Sequence, residues 1–429
     1  MPALAAVPLG DGDTPLDLFG ARDLVAHRGQ VRMEGEKGRG VRPATFFGFA
    51  CTPPSLFFFL DLFLLFFPFQ VHSVAWSCTG HRLASAAEDG TIKVWAIEHS
   101  ASPAKGPERP LLDLRAPPPA TGGGACGTGA PAGAGGGTAG AGQAAPSATT
   151  PAPSSSSRPR GARLARVAWD PTHRDRLACV GDDAPLRLWD ARGGVVKATL
   201  PTGVPDGHFN ISLAWCGGVG GGGRATTVAV GHDGDGVAFL DLGAPPGTPP
   251  FLALPRPGHE VNELAFTPDG RLLARAAGDG SVELIAWKEG GGVVAALRGH
   301  TSTVFAVAPH PTRPLLASGG ADGAAAVWDL RMLAPLASCT ALDYPVKSVA
   351  FGGPGGRLLA AGGDQAALCI DAWEGGGAVP PFVVSLRAPV SQLAWCPAGS
   401  PPGVLAFTGP VYPGPAREEL GAVGVLAPP

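Results

Sequence analysis

The feature that most constrains this chain is a unit of three short strand-like runs that recurs along it. In its first instance, VHSVAWSCTGHRLASAAEDGTIKVWAI at residues 71–97, runs rich in Val, Ile, Ala and Trp alternate at period two and are divided by Thr-Gly and Asp-Gly. Alternation broken by turn dipeptides reads as consecutive antiparallel strands. The unit returns at 165–192, 210–242, 261–287, 304–330, 346–373 and 390–409, the last completed by GAVGVLA at 421–427. With the residue closing each first run as a ruler, Trp76, Trp169, Trp215, Phe266, Ala308, Phe351 and Trp395 are spaced by 93, 46, 51, 42, 43 and 44 residues. Only the first interval is long, and a Gly/Pro-rich insertion accounts for its excess. A period of about 40–45 residues belongs to four-stranded blades arranged around an axis. The expected fold is therefore all-β, a seven-bladed β-propeller. Its last unit has three strands of its own, so residues 16–27 (LDLFGARDLVAH) are expected to return as the missing outer strand and leave no edge open.

Two segments stand apart from the repeats. Residues 98–160 carry runs such as APPPATGGGACGTGAPAGAGGGTAG and PSATTPAPSSSSRPR, with few large apolar residues and no periodicity. Such a stretch cannot bury enough apolar surface to offset its chain entropy and reads as a disordered insertion. Residues 45–70 are the opposite case: ten of the chain's 19 Phe lie between positions 46 and 69. Their unbroken apolar part, 56–69, is 14 residues long and contains Asp61 and Pro68. A membrane-spanning helix needs about 20 apolar residues, so no membrane association is expected. Phe-Pro-Phe-Gln can be encoded by a pyrimidine tract ending in an intron acceptor, and Val31-Arg32 by a donor. Residues 31–70 therefore read as a retained intron translated in frame, with a hydrophobic insert outside the propeller as the rival. The expected organisation is an N-terminal segment 1–30, the insert 31–70, blade one at 71–97, the insertion 98–160, and blades two to seven at 161–429.

Charge and motif content narrow the function. Charged residues make up 16 % of the chain and the net charge is −3, so no basic excess supports direct coating of nucleic acid. Eight Cys occur without a C-x-x-C pair, which argues against a zinc module and fits reduced thiols inside a cell. No phosphate-cradling G-x-x-x-x-G-K-[ST], zinc-binding H-E-x-x-H or nucleophile-elbow G-x-S-x-G sequence is present. Asp233 and Asp235 in HDGDG resemble a fragment of a calcium loop, but later ligand positions are missing. The expectation is a protein with no catalytic residues, cofactor, metal or small-molecule substrate.

Gly258-His259, Gly299-His300, Trp189-Asp190 and Trp328-Asp329 look like the signature dipeptides of WD repeats. In repeats one to six a turn Asp precedes a third-strand position by six residues: Asp89/Trp95, Asp183/Trp189, Asp233/Phe239, Asp279/Ile285, Asp322/Trp328 and Asp364/Ile370. As the WD resemblance implies, His300, Ser318, Asp322 and Trp328 would form a buried hydrogen-bonded tetrad, a structural use of a His/Asp/Ser set that otherwise suggests catalysis. Longer strings go further. VHSVAWSCTGHRLASAAEDGTIKVW, FNISLAWC, GHEVNELAFTPDG, LDYPVKSVAFGGPGGRLLAAGGDQ and SQLAWCPAGSPPGVLAFTG resemble the family of THO complex subunit 3, as do Asp343-Tyr344-Pro345-Val346 and Arg417-Glu418 in their order. The likeness covers about 13–30 and 71–427 apart from 98–160. It departs in blade four, which lacks a third-strand Trp. It implies a non-catalytic scaffold in a nuclear assembly that joins transcription to mRNA packaging and export within TREX. The implied partners are large helical THO subunits, with RNA contacted indirectly. The alternative is another WD-repeat adaptor, such as a ubiquitin-ligase substrate receptor or a histone-peptide reader.

Overall fold

The computed structural model describes residues 42–44, 61–67, 69–97, 110–115 and 163–427, the last with breaks at 183–184, 206–207, 218–225, 234–235, 255–257, 376–379, 387, 398–402 and 412–419. Its strands form seven antiparallel sheets, six of them made of four strands consecutive in the chain. Blade five shows the pattern: Val304–Pro309, Leu315–Gly320, Ala325–Asp329 and Ala334–Cys339 pair in that order. The second strand, LLASGG, is buried at every position, whereas the fourth, APLASC, is largely exposed. A sheet packed on both faces by its neighbours buries its middle strands on both sides, so these runs need not alternate.

Every junction between consecutive blades holds its own apolar cluster, including the junction that joins the end of the ring to its start. There Val71, Val74, Trp76 and Leu83 of blade one pack against Val404, Ala406, Val423 and Val425 of blade seven. Directed bonds run with the packing. The Trp76 indole donates to the Ala394 carbonyl, Trp169 to Ala75, Trp215 to Ala168 and Trp395 to Ala350, at 3.0–3.2 Å. Each indole thus reaches the carbonyl just before the equivalent aromatic of the preceding blade. Three positions earlier on the first strands, Ser73, Ser212, Glu263, Ser348 and Gln392 each accept a backbone N–H of the next blade. The ring is closed.

Blade seven is the composite one. Gln392–Trp395, Leu405–Val411 and Leu420–Ala427 are followed on the outside by Asp61–Phe67, paired from Asp61↔Ala427 to Phe67↔Gly421, and then by Arg42–Ala44. A strand from the N-terminal side therefore covers the edge, but it comes from within 31–70, the segment read as lying outside the propeller. An apolar run of Leu and Phe has strand propensity and an open edge to pair with. Residues 16–27, the segment expected in that place, lie outside the described residues. Blade one differs in a similar way. Its fourth strand is Leu112–Arg115, inside the 98–160 insertion, where Leu114 is buried against blade two. Four residues are too short a signal to stand out from Pro/Gly-rich surroundings.

The ladder also adjusts the repeat register. In blades one to six a bulge follows the first residue of the first strand. Counting from it, Pro309 opposite Leu316 is the equivalent of Phe266 opposite Leu273, so Ala308 is one residue early. Blade five has no aromatic at that place to fix the alignment.

Candidate functional site

The strand order sorts the loops onto two faces. The connections into each first strand and the turns between second and third strands share one face, here termed upper. The other connections form the lower face.

Blade five carries the full polar set on the upper side. His300 Nδ1 lies 3.0 Å from Asp322 Oδ1, His300 Nε2 lies 2.7 Å from Ser318 Oγ, and the Trp328 indole donates to the same Oγ at 2.7 Å. With Nδ1–H directed at the carboxylate, Nε2 accepts the Ser318 O–H, and every polar atom of the chain is used. Burial opposes ionisation of Asp322, but the N–H groups of Thr301 and Ala324 and the His300 ring outweigh it and hold the carboxyl below its ordinary range. Gly320 makes room for the set: a Cβ there would lie 2.6 Å from His300 Nδ1 and 2.7 Å from Asp322 Oδ1.

The distances are those of a Ser-His-Asp triad, and the surroundings are not. Ser318 is 0 % exposed and its oxygen already holds the Trp328 indole. A nucleophile needs a place beside it for a reacting atom. The described cavity, of about 520 Å³, lies elsewhere, between the lower loops of blades two and three. Of its charged side chains, Arg176 pairs with Asp170 at 3.4 Å, Lys197 with Asp190 at 3.4 Å, and Asp175 with Arg82 at 2.7 Å. Among the described residues no group of three or more His, Cys, Asp or Glu is placed to hold a metal ion, and no helix is long and apolar enough to cross a membrane.

The other blades carry parts of the set. In blade one Asp89 accepts the Thr91 N–H and O–H, and the Trp95 indole meets Ser85 Oγ at 3.3 Å. In blade two the Trp189 indole meets Cys179 Sγ at 3.3 Å, and Asp183 lies outside the described residues. In blade four His259 faces Glu283 at 3.6 Å rather than a serine. There Arg275 stands where blade five has Ser318 and donates to Glu283 at 2.7 Å, with Ile285 in place of Trp328. Asp279 is held below its ordinary range first by the Ser281 hydroxyl, with His259 and Arg298 adding to it. In blade six the register moves the turn position from Asp364 to Gln365, which accepts the Asp343 N–H, while Asp364 pairs with Lys347 at 2.7 Å. The third-strand partner shifts with it, from Ile370 to Asp371.

Three polar pairs escaped the sequence reading. His208 Nδ1 meets Asp233 at 3.0 Å in blade three, a second His–Asp contact, on the Gly207-His208 dipeptide. Arg275–Glu283 is a cross-strand pair, visible only once the register is known. Arg166 of blade two reaches Glu263 of blade four at 3.5 Å, bridging first strands that are two blades apart. Burial raises Glu263 above the usual carboxylate range, against the pull of Arg166 and the Val307 N–H.

What remains for function is surface. The upper loops are acidic, with Glu88, Asp89, Glu260, Asp279, Asp322 and Asp343. Arg163, Arg298 and Lys347 there each lie within ion-pair reach of a carboxylate. On the rim, Val293 and Val294 of blade four, Leu336 of blade five and Phe382 of blade six are exposed.

The family described as WD domain, G-beta repeat matches residues 66–96, 253–285 and 291–329, which are the cores of blades one, four and five. The chain is 27 % identical over 343 residues to THO complex subunit 3 of Arabidopsis thaliana, covering 79 % of this chain and 86 % of that protein. It is 26 % identical over 283 residues to WD repeat-containing protein AAC3 of Dictyostelium discoideum, covering 65 % of this chain and 50 % of that protein. With THO complex subunit 6 homolog of Mus musculus it shares 29 % identity over 140 residues, 32 % of this chain and 41 % of that protein. The fold is a seven-bladed propeller of WD repeats, an architecture that generally serves as a non-catalytic scaffold.

Proposed function

We propose that this chain is a non-catalytic scaffold subunit of a THO-like nuclear assembly that couples transcription to mRNA processing and export. The observation that carries the reading is the likeness to a THO complex subunit 3 over 86 % of that protein's length, which takes in the ring rather than one repeat. The site geometry supports it, because the polar groups that resemble catalytic machinery are buried and spent on the fold. The partners are large helical THO subunits. RNA contact is indirect, since the net charge is −3 and the lower-face cations Arg82, Arg176 and Arg313 are paired with Asp175, Asp170 and Glu374. Purification of the tagged full chain from nuclear extract should recover the large THO subunits after a salt wash. Recovery of the chain without any THO subunit would overturn the assignment.

One observation favours a second reading. The acidic upper loops suit a basic peptide, as a histone-peptide reader or another WD-repeat adaptor would require. Replacing Glu260 and Asp343 by Lys should abolish peptide binding under that reading and leave THO recovery unchanged under the first.

A further inference from the structure

Cys339 ends the outer strand of blade five and Cys369 lies in the third strand of blade six, with their Sγ atoms 3.3 Å apart. Both thiols sit in the apolar cluster between the two blades, beside Val327, Phe351 and Trp373. Cys339 is 8 % exposed and Cys369 1 %. Of the other described cysteines, Cys179 meets the Trp189 indole, Cys216 and Cys396 meet the carbonyls of Gly270 and Gly80, and Cys78 is half-buried. We propose that Cys339 and Cys369 are an oxidative modification site, at which hydrogen peroxide converts two thiols into a disulfide joining blade five to blade six.

The geometry lacks only a small movement. A disulfide needs an S–S separation of about 2.05 Å, so the two sulfurs, 3.3 Å apart, must approach by about 1.3 Å in total. The partners also divide the labour. A thiolate at Cys339 accepts the Cys369 S–H, which brings Cys339 down to about 7 and pushes Cys369 up. Cys339 is thus the nucleophile, and the more exposed of the two. Its thiolate attacks one peroxide oxygen and the O–O bond breaks. The departing hydroxide takes up the Cys339 proton as water, leaving a sulfenic acid. The Cys369 thiolate then attacks that sulfur and expels hydroxide, which takes up the Cys369 proton as a second water. Two thiols and one peroxide give one disulfide and two waters. The bond would staple one blade junction across 30 positions of sequence.

The test uses the folded full-length chain. After peroxide treatment and alkylation of free thiols in denaturant, unreduced peptide mapping should find 339 joined to 369. The link should disappear with dithiothreitol, and it should raise Tm by about 5 °C. In Cys369→Ala the resolving thiol is gone, so dimedone should trap a sulfenic acid at Cys339. Should that variant fail to fold, the wild-type map decides alone. The proposal is overturned if both cysteines stay fully alkylatable after peroxide, if the disulfides formed involve other cysteines, or if Cys339 proceeds to sulfinic acid while Cys369 remains a free thiol.

Discussion

Ser318 joins two side chains that would otherwise each lose a partner, His300 on the upper loop and Trp328 on the third strand. Ser318→Ala leaves a buried ring nitrogen and a buried indole N–H without it, and urea unfolding should show a loss of about 2 kcal/mol. Asp322 adds a pH signature. Its carboxyl is held below the ordinary value of 3.8, so its contribution is fully present above that value and is lost as the pH falls through the lower folded value. Thermal melts of the wild type should therefore weaken on acidification below about pH 4, and Asp322→Asn should be less stable at pH 7 yet flatter across that window. A variant as steep as the wild type would remove Asp322 from the explanation. The His300 set was legible because Gly-His, the turn Asp and Trp-Asp all sit at the family's spacing. His208–Asp233 was not: Gly207 does precede His208, but its Asp stands one position early on the ladder and no Trp-Asp follows. In blade four, where Ile285 stands in place of the Trp, Arg275 occupies the serine position and donates to Glu283 instead. A residue-by-residue search for the absent Trp does not reveal such a replacement.

Strands were legible wherever alternation or continuous burial ran for five residues or more between turn dipeptides. Edge strands were not. Leu112–Arg115 and Asp61–Phe67 come from segments whose composition, one Gly/Pro-rich and one Phe-rich, masks the strand within. An outer strand has one neighbour and one solvent edge, so its sequence is only weakly specified. The assignment of Asp61–Phe67 can be tested inside the strand. Leu64, opposite Gly424, loses its backbone N–H in Leu64→Pro, and the ladder to Leu420–Ala427 breaks. A stability loss of about 2 kcal/mol in urea is expected. No change would mean that another segment covers that edge, and 16–27 would be the first to examine by the same substitution at Leu24.

At the scale of the molecule, seven blades are held by a repeated rule rather than by one core. Each junction has its own apolar cluster, and the indoles of Trp76, Trp169, Trp215 and Trp395 each tie one blade to the blade before. The period of the repeats made the ring readable from the amino acids, because blade number follows from counting. How the ring closes was less readable, since closure depends on a chain segment remote in sequence from the blade it completes. The claim on which the rest depends is that blades seven and one are locked together as firmly as any other pair. Hydrogen–deuterium exchange followed by mass spectrometry measures this directly. Amides of 71–76, 405–411 and 420–427 should exchange as slowly as those of 304–309 and 315–320 in blade five, and should speed up together in Leu64→Pro. Exchange at blade seven and the start of blade one that is orders of magnitude faster than at blade five in the unaltered chain would show an open ring and contradict the account.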